Sequence, residues 1–471
     1  MKNENPVWRL VDDKAAVFTA LADRVFDTPE IAYTETRSCA AHVEMLRDQG
    51  FRVTEGAAGI PTAVIGEAGE GGPVIAILGE YDALPGLSQE PGVAEPRPLP
   101  GDGMGHGCGH NLLGSAALSA ATAVKDWLAA EGVTGRVRYY GCPAEEGGAA
   151  KAFMVRAGLF DDVELAISWY AASSNAVDDA RSLANTRIDF TFTGKAAHAA
   201  GAPELGRSAL DAVELMNIGI NYMREHMPDD ARVHYAYLDA GGTAPNVVQA
   251  RATVRQLVRA RDNAGLADLM ARVRAIADGA ALMSGTKVEG RVYTAVSSLV
   301  GNRPLEEAMQ AEFEALGPVT FDEDDRALAR AIRATLTRED IADTFHKLAM
   351  APNFDLPLCD FIAPLDRPFM GGMGSTDLGD VSWVVPLVQA QAATCALGTA
   401  LHTWQQTAQG RTPMAHKGML HAAKVMAATA RRGILDAGMR QAARAAHDAH
   451  LAAQPYLCPL PDDARPPVVP A

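Results

Sequence analysis

The sequence is poor in cysteine, in long apolar runs and in basic blocks, and each shortage excludes a class of protein. Six cysteines among 471 residues are too few for a disulfide scaffold. No stretch of 18 apolar residues is present, so we expect no transmembrane helix. No run of five Lys or Arg is present and the formal net charge is −16, so we expect no nucleic-acid partner. A small anionic substrate is compatible with this charge, because one local Arg or His can override the global field.

The chain is long enough for two domains or three. Its 471 residues are about three times the ~150 residues of a typical domain. A content of 48% hydrophobic and 21% charged residues is typical of globular proteins. The first residues lack the apolar centre of a signal peptide. Together with the sparse cysteines, this predicts a cytoplasmic protein with reduced thiols.

The N-terminal third alternates between helical and strand-like segments. Val74–Leu78 is apolar at every position, as expected for a strand that is buried on both faces. Strands separated by helices predict an α/β domain with a mostly parallel sheet. The predicted helices are Ala15–Phe26, Cys39–Gln49 and Asn111–Leu128, and the other predicted strands are Thr62–Gly66, Val137–Gly141 and Leu165–Trp169.

The periodicity changes near residue 186. Ile188, Phe190 and Phe192 alternate with polar residues, which indicates a half-exposed strand. The order of elements from there to about residue 300 is β-α-β-β-α-β, the split βαβ or ferredoxin-like pattern. We therefore predict an inserted α+β domain at 186–300, which divides the first domain into residues 1–185 and 301–471. Helices are predicted in the second part at Leu305–Leu316, Asp325–Leu336 and His416–Met439.

The densest group of chemically active residues is the segment Gly105–Asn111, which reads GHGCGHN. His106, Cys108 and His110 lie within five residues on a Gly-rich turn before a predicted helix. Glycine lets the backbone bend so that neighbouring side chains converge. Thiolate and imidazole are favoured ligands of zinc and similar cations. The pattern indicates a metal site, and the alternative is a core cysteine flanked by structural histidines.

Acidic side chains directly follow two of the predicted strands. Glu145 and Glu146 come after Val137–Gly141, at the end of a strand where open α/β sheets bind ligands. Two adjacent carboxylates repel each other unless a cation or a shared proton compensates. One of them could therefore hold a metal while the other serves as general base. Glu80 and Asp82 follow the VIAIL strand and could be ligands or could orient ligand imidazoles. A solvated acidic turn and a helix-capping Asp are the alternatives.

Two further histidines stand apart from these motifs. His198 lies in GKAAHAA, a small-residue turn after an alternating strand, which suits an exposed contact residue. His402 in GTALHTW is a lone histidine, and by itself it indicates a structural role more than a functional one.

Eight motifs occur in one order along the chain, and together they resemble one family. They are GEYDALPG, GHGCGHNLLG, PAEEGG, GKAAHAA, PNVVQA, GSTDLGDVSW, LHTWQ and AHKGML. From about residue 8 to about residue 460 the chain resembles the family of the B subunit of aminobenzoyl-glutamate hydrolase. That family lies in the aminoacylase/carboxypeptidase-type metallopeptidase superfamily, near the indoleacetyl-amino-acid hydrolases. The resemblance implies a metal-binding catalytic domain interrupted by a lid or dimerisation domain, which agrees with the predicted insertion.

The resemblance also implies roles for individual residues. The implied metal ligands are Cys108, His110, Glu146 and His402, with the cysteine bridging two ions. Glu145 would be the general base, and His198 would cross a dimer interface to polarise the scissile carbonyl. Asn246, in PNVVQ, would contact substrate. From charge alone, Arg255 or Arg259 on the following strand would bind a substrate carboxylate, since Arg pairs bidentately with carboxylates.

One position departs from the family pattern. Relatives have a ligand His in a Trp-His-Pro string after the Leu165–Trp169 strand, whereas this chain has Tyr170. Neutral Tyr is a poor ligand, with a reference pKa of about 10. Three consequences are open: the second metal is weak or absent, Tyr170 binds as a phenolate, or another residue such as His106 or Asp178 substitutes.

The activity implied by the resemblance is metal-dependent amide hydrolysis of an N-acyl amino acid, with an aromatic acyl group as in p-aminobenzoyl-glutamate. One or two divalent ions per chain, Mn or Zn, would be the cofactor. The implied partners are a carboxylate-bearing substrate and a second copy of the chain, bound through the inserted domain, and a second type of subunit is compatible with the family. A hydrolytic deaminase of an aromatic amine and a catalytically impaired binder are the alternatives, because one fold hosts many functions.

Overall fold

The computed structural model describes residues 5–468 except 179, 369 and 371–373. In chain order its strands are β1 (Arg52–Glu55), β2 (Val64–Glu70), β3 (Val74–Glu80), β4 (Gly135–Cys142), β5 (Leu165–Ala172), β6 (Ala176–Val177), β7 (Ala184–Thr193), β8 (Arg232–Asp239), β9 (Arg251–Ala260), β10 (Lys287–Val296) and β11 (Leu387–Ala393).

The α-helices cover both faces of the larger sheet and one face of the smaller one. In chain order they are α1 (Pro6–Asp13), α2 (Ala15–Phe26), α3 (Thr36–Asp48), α4 (His110–Glu131), α5 (Ala150–Arg156), α6 (Ala209–Met223), α7 (Asn263–Ser284), α8 (Arg303–Leu316), α9 (Glu323–Arg333), α10 (Arg338–Lys347), α11 (Leu378–Ser382), α12 (Trp404–Gln409), α13 (Pro413–Leu435) and α14 (Ala437–Ala453). Among the described residues, no helix is both long and apolar enough to span a lipid bilayer.

The larger sheet is parallel at its centre. Its seven strands have the order β1-β2-β4-β3-β5-β11-β6, and β4, β3, β5 and β11 run parallel to one another. Strands β1, β2 and β6 pair antiparallel at the two edges. All seven residues of β3 are buried, as its continuous apolar sequence predicts. The predicted α/β class with a mostly parallel sheet is therefore confirmed.

The smaller sheet is antiparallel and has the strand order β10-β7-β9-β8. Ile188, Phe190 and Phe192 of β7 lie in a core beneath α6 and α7, and the polar residues between them face the other side. The element order β7-α6-β8-β9-α7-β10 confirms the predicted ferredoxin-like unit. Strand β8 is the edge strand and is exposed along most of its length. We propose residues 1–185, 186–300 and 301–471 as the domain segments, with the strands of the smaller sheet at 184–296.

Strand β11 and the C-terminal helices differ from the prediction. No strand is predicted at Leu387–Ala393, yet β11 lies inside the larger sheet, between β5 and β6. Gln389 and Gln391 interrupt its apolar run; Gln391 pairs with Ala176 of β6, and Gln389 O accepts a hydrogen bond from the backbone N of Asp178, just after β6. The predicted helix His416–Met439 is in fact two helices, because the side chain of Asp436 accepts a hydrogen bond from Met439 N and starts a new helix there.

Candidate metal centre

Three parallel strands bring the predicted motifs to one edge of the larger sheet. Strand β3 ends at Glu80, β4 ends at Cys142 and Tyr170 lies near the end of β5. The acidic motifs follow β3 and β4 within a few residues, and α4 begins at His110. The carboxyl ends of parallel strands are where open α/β sheets bind ligands. The topology therefore places the predicted ligands within reach of one another.

All four residues implied as ligands converge there. Ligand atoms of Cys108, His110 and Glu146 lie within 4.8 Å of one another. Nε2 of His402 lies 3.0 Å from Oε1 of Glu146. Nε2 of His110 is buried and lies 3.3 Å from Glu80 Oε2 without a hydrogen bond of good geometry. Buried polar atoms that lack a hydrogen bond are costly, and a divalent cation would satisfy this nitrogen, so the residues present fit a metal ion.

The electrostatics of this group also favour bound positive charge. Hydrogen bonding to Cys108 and to Glu146 raises the pKa of His402 to about 10. Burial opposes a charge on His110, but Cys108 and Asp82 outweigh it and raise the pKa of that ring well above its ordinary value. Both histidines thus lie where a cation is stabilised, and a metal ion would take the place of their extra protons.

Asp82 orients two of the implied ligands. One carboxylate oxygen lies 2.9 Å from His110 Nδ1, and the other accepts a hydrogen bond of 2.9 Å from the backbone N of Glu146. The Asp82 carboxylate is fully buried. Because Nδ1 is taken by Asp82, the Nε2 atom of His110 is the one left to bind a metal, as in carboxylate–histidine–metal arrangements. Of the two alternatives for Asp82, the geometry favours orientation over ligation.

Glu145 lies beside the ligands in a second group of converging atoms. Its carboxylate, that of Glu80 and a ring nitrogen of His110 lie within 4.8 Å of one another. Burial, together with the charges of Glu80 and Glu146, raises the pKa of Glu145 well above its ordinary value. A bound cation would offset this repulsion and favour the carboxylate form, which is the form that can accept a proton.

The turn that carries the two glutamates is held from outside by an N-terminal segment. Ala144 and Ala149 adopt the left-handed backbone region, with φ of 56° and 58°. Glu35 Oε1 accepts a hydrogen bond of 2.8 Å from Ala144 N, and the Tyr33 hydroxyl donates one of 2.7 Å to Gly148 O. Non-glycine residues are strained in this conformation and keep it only where their surroundings enforce it. The turn is thereby fixed at both ends.

The candidates for replacing the missing ligand histidine lie in different places. The Tyr170 hydroxyl is 3.5 Å from Cys108 Sγ, so this residue does border the centre. His106 does not join either group of converging ligand atoms, because its Nε2 lies 3.1 Å from Val25 O and burial lowers its pKa to about 4. Asp178 accepts a hydrogen bond from Gln391 and is likewise absent from both groups. Neither His106 nor Asp178 joins the converging ligand atoms of the described residues.

His198 and Asn246 lie together on the smaller-sheet unit. Nδ1 of His198 accepts backbone hydrogen bonds from Ala200 and Gly201, at 3.2 Å and 3.0 Å. The carbonyl of Asn246 accepts from Ala199 N at 3.0 Å, which joins the two loops. Both side chains belong to exposed residues, and neither is in the groups of converging ligand atoms found in the described part of the chain. Because Nδ1 is an acceptor, a neutral His198 ring carries its proton on Nε2.

The two arginines predicted to bind a carboxylate differ in their surroundings. Arg255 already holds Asp189 with two hydrogen bonds of 2.7 Å and 2.9 Å, and its guanidinium lies over the Tyr293 ring. Arg259 forms no ion pair with a described carboxylate and donates to Ser375 Oγ at 3.3 Å. The structure therefore disfavours Arg255 as a carboxylate ligand and leaves Arg259 available.

Sequence reasoning missed a third arginine near the centre. Arg187 Nη1 donates a hydrogen bond of 2.9 Å to Gly147 O, next to the paired glutamates. A Cβ atom at Gly147 would lie 1.9 Å from that guanidinium, so glycine is required for the approach. Burial and the neighbouring Arg259 and Arg255 lower the pKa of Arg187. The sequence pattern could show only that Arg187 lies on the polar face of β7. It could not show that the guanidinium contacts Gly147.

A buried ion-pair cluster next to the centre was also missed. The Lys151 ammonium lies 2.5 Å from Glu80 Oε1 and 2.6 Å from Asp377 Oδ1. All three side chains are at most 3% exposed. Asp377 also accepts a hydrogen bond of 3.0 Å from Lys151 N. In the sequence, Lys151 stands out only as a charged residue within the Ala-rich PAEEGGAAKAF segment. That pattern did not identify Glu80 and Asp377 as its partners.

A cavity of about 600 Å³ opens beside the centre. Tyr170 and Leu401, the neighbour of His402, border it on the side of the metal ligands. Its remaining walls include Ser173, Arg181, Gln391 and Thr399. Sites for small molecules commonly have volumes of ~300–1,000 Å³ and combine apolar walls with a few polar groups. The cavity is therefore large enough for a small organic substrate.

Comparison with known proteins agrees with this geometry. The model of the peptidase family M20/M25/M40 matches residues 76–352. The chain is 44% identical to the B subunit of p-aminobenzoyl-glutamate hydrolase of Escherichia coli over 98% of each chain. It is 31% identical to the other subunit of that hydrolase, the A subunit, over 49% of this chain and 55% of the relative.

The fold itself has been seen in a metal-binding relative. A Bacillus subtilis structure described as a dinuclear metal-binding peptidase of the M20 family has a TM-score of 0.55, with 17% identity, and covers 89% of this chain and 99% of that chain. The family model matches more than half of the chain. The protein belongs to the peptidase family M20/M25/M40 and is a homologue of the B subunit of p-aminobenzoyl-glutamate hydrolase.

Proposed function

We propose that the protein hydrolyses the amide bond of an N-aroyl amino acid, with p-aminobenzoyl-glutamate as the substrate. The convergence of Cys108, His110, Glu146 and His402 beside Glu145 carries this proposal. These four residues would hold one or two divalent cations, Mn or Zn, since thiolate, imidazole and carboxylate suit either ion. When bound, the cation polarises a carbonyl and lowers the pKa of water toward neutrality. The 44% identical relative supports the choice of substrate.

Glu145 is the proton carrier in this proposal. Its carboxylate lies within 4.8 Å of the His110 ring nitrogen, beside the metal position. It accepts the proton of the attacking water as the new C–O bond forms, and it delivers that proton to the nitrogen of the leaving amino acid as the C–N bond breaks. Two proton transfers at one group are required, because the amine is a poor leaving group until it is protonated.

The smaller-sheet unit contributes the groups that recognise the substrate. His198 donates its Nε2 proton to the carbonyl oxygen as negative charge develops there, which is commonly the largest single contribution to catalysis. Asn246 lies on the adjoining loop, where its carbonyl accepts a hydrogen bond from Ala199 N, and its side chain would hydrogen-bond to the substrate. Arg259 binds the carboxylate of the amino acid, since its guanidinium has no carboxylate partner among the described residues.

The first prediction concerns the products. We expect metal-loaded protein to convert p-aminobenzoyl-glutamate to p-aminobenzoate and glutamate, measured by mass spectrometry. The analogue that lacks the α-carboxylate should be cleaved with a lower kcat/KM, and the Arg259→Ala variant should lose that preference. Arg255→Ala is the matched control, because its guanidinium is already paired with Asp189. Release of ammonia without glutamate would instead identify a deaminase. Substrate that stays unchanged both with this protein alone and after addition of a homologue of the hydrolase's other subunit would contradict the proposed activity.

We further propose that the protein assembles through the smaller sheet, with its own second copy or with a second type of subunit. The exposed edge strand β8 carries Tyr235 and Leu238, which are 45% and 50% exposed, and α6 carries Tyr222 at 75%. Exposed strand edges readily pair with another chain. His198 is exposed and is in neither group of converging ligand atoms, which supports its use in the active site of a partner subunit.

A subunit-mixing experiment tests this assembly. His198→Ala and Glu145→Gln should each be inactive as purified proteins. If each site takes Glu145 from one copy and His198 from the other, then mixing equal amounts under exchange conditions should restore about a quarter of wild-type activity, since half of the dimers are mixed and have one intact site of two. No recovery, with exchange confirmed by mass spectrometry, would place both residues in one chain. Activity only after addition of a homologue of the hydrolase's other subunit would identify a mixed oligomer.

A further inference from the structure

The two oxygens of the buried Glu80 carboxylate have different neighbours, Lys151 and His110. Oε1 lies 2.5 Å from the Lys151 ammonium. Oε2 is buried and lacks a hydrogen-bond partner among the described residues. That second oxygen lies 3.3 Å from His110 Nε2, which is also buried and lacks a hydrogen-bond partner in the same part of the chain. The two atoms therefore face each other without a well-oriented hydrogen bond, and a cation bound to both would satisfy them.

The separation of these atoms is the one that a shared cation produces. Ligands at ~2.0–2.2 Å from a tetrahedral ion lie about 3.4 Å from each other. The distance from His110 Nε2 to Glu80 Oε2 is 3.3 Å, and the distance from His402 Nε2 to Glu146 Oε1 is 3.0 Å. Cys108 lies within 4.8 Å of His110 and Glu146, and Glu145 lies within 4.8 Å of His110 and Glu80. Two cation positions, one at each nitrogen–oxygen pair, account for both distances.

Tyr170 leaves one of these positions short of a ligand. Its hydroxyl is 3.5 Å from Cys108 Sγ, and a neutral phenol is a weak ligand. The position that contains His110 then has only an imidazole and a shared thiolate. We propose that Glu80 supplies the missing ligand, so that Glu80 and His110 hold a second divalent cation, with Glu145 and Cys108 as neighbours of that position. This inference rests on the proposed function only in taking the centre to be a metal site.

The Lys151 cluster explains how Glu80 could serve in this way. Lys151 fixes one oxygen of Glu80, and Asp377 balances part of the ammonium charge. The other oxygen is then presented to His110 in a single orientation. Partners that orient a ligating carboxylate in this way are common around protein metal sites. Lys151 is therefore a positioning residue for the ligand.

Metal content in the absence of substrate tests the inference. The full-length protein is stripped with a chelator, reloaded with Zn²⁺, passed through a desalting column and measured by inductively coupled plasma mass spectrometry. We expect about two Zn²⁺ per chain for the wild type, about one for Glu80→Gln and about two for Tyr170→Phe. Glu70→Gln is the matched control, because Glu70 is an exposed glutamate at the end of β2, and it should retain two.

Each other outcome overturns the inference. One Zn²⁺ in the wild type, or two in Glu80→Gln, would exclude Glu80 as the added ligand, and a loss in Tyr170→Phe would assign that role to Tyr170. If Glu80→Gln does not fold, a crystal of the Zn²⁺-loaded wild type measured at the zinc edge decides the question: we expect zinc within ~2.0–2.2 Å of a Glu80 oxygen. Product analysis with p-aminobenzoyl-glutamate is independent of these counts, so failure of the Glu80 assignment and failure of the proposed activity are distinguishable.

Discussion

Replacing Glu145 with Gln should lower kcat for p-aminobenzoyl-glutamate by about 10²- to 10⁴-fold. Glutamine occupies nearly the same volume, but its amide cannot accept the proton of the attacking water or deliver it to the leaving amine. The carboxylate is buried next to the implied ligands Glu146 and His110, so no bulk water can take over its task at that position. Steady-state kinetics on metal-loaded protein measures the effect.

Two controls make this result specific to proton transfer. Metal content and thermal midpoint of Glu145→Gln should match those of the wild type, since Glu145 is not among the four implied ligands. Glu70→Gln makes the same chemical change at the exposed end of β2 and should leave kcat unchanged. Turnover close to that of the wild type in a fully metallated Glu145→Gln protein would remove this residue from the role of base.

Replacing Lys151 with Met should destabilise the metal-free protein by about 3–5 kcal/mol, because removing one member of a buried ion pair leaves an uncompensated charge. The side chain is fully buried between Glu80 and Asp377, so water cannot solvate the remaining carboxylates. The pKa of Lys151 lies well above its ordinary value: burial opposes the charge, but Asp377 and Glu80 outweigh it. Urea denaturation followed by circular dichroism measures the loss.

Charge and packing can be separated with a second substitution. The double variant Lys151→Met/Asp377→Asn should recover part of the lost stability, because one of the two stranded charges is removed. Lys347→Met is the matched control: its ammonium pairs with Asp343, but both side chains are 55% exposed, so this change should cost less than about 1 kcal/mol. A loss of the same small size in Lys151→Met would contradict the assigned role of the buried cluster.

The fold was predictable where a local pattern repeats. The alternation of Ile188, Phe190 and Phe192 identified a strand, and the unbroken VIAIL run identified the buried centre of the larger sheet. Strand β11 was not predictable in this way, because Gln389 and Gln391 give its sequence a mixed character. Polar groups of these two glutamines are satisfied by residues that are distant in sequence, so a short stretch of sequence does not reveal the strand.

The candidate site was predictable to the extent that its residues are neighbours in sequence. Cys108 and His110 share one turn, and Glu145 and Glu146 are adjacent, so chemistry alone singled them out. The pair of Lys151 and Asp377 joins positions that are 226 residues apart. Its significance comes from burial and from the third partner Glu80, and neither is a property of the local sequence.

The cluster of Lys151, Glu80 and Asp377 also limits how this protein can change over generations. The three residues come from α5, the end of β3 and the residue before α11. Exchange of Lys151 for a neutral residue leaves two carboxylates buried without their cation, so that single substitution is expected to be disfavoured. A lineage that loses the lysine must therefore also alter a distant codon for one of the acids. We expect the three positions to be inherited as one unit, even where the surrounding helix and loops drift freely.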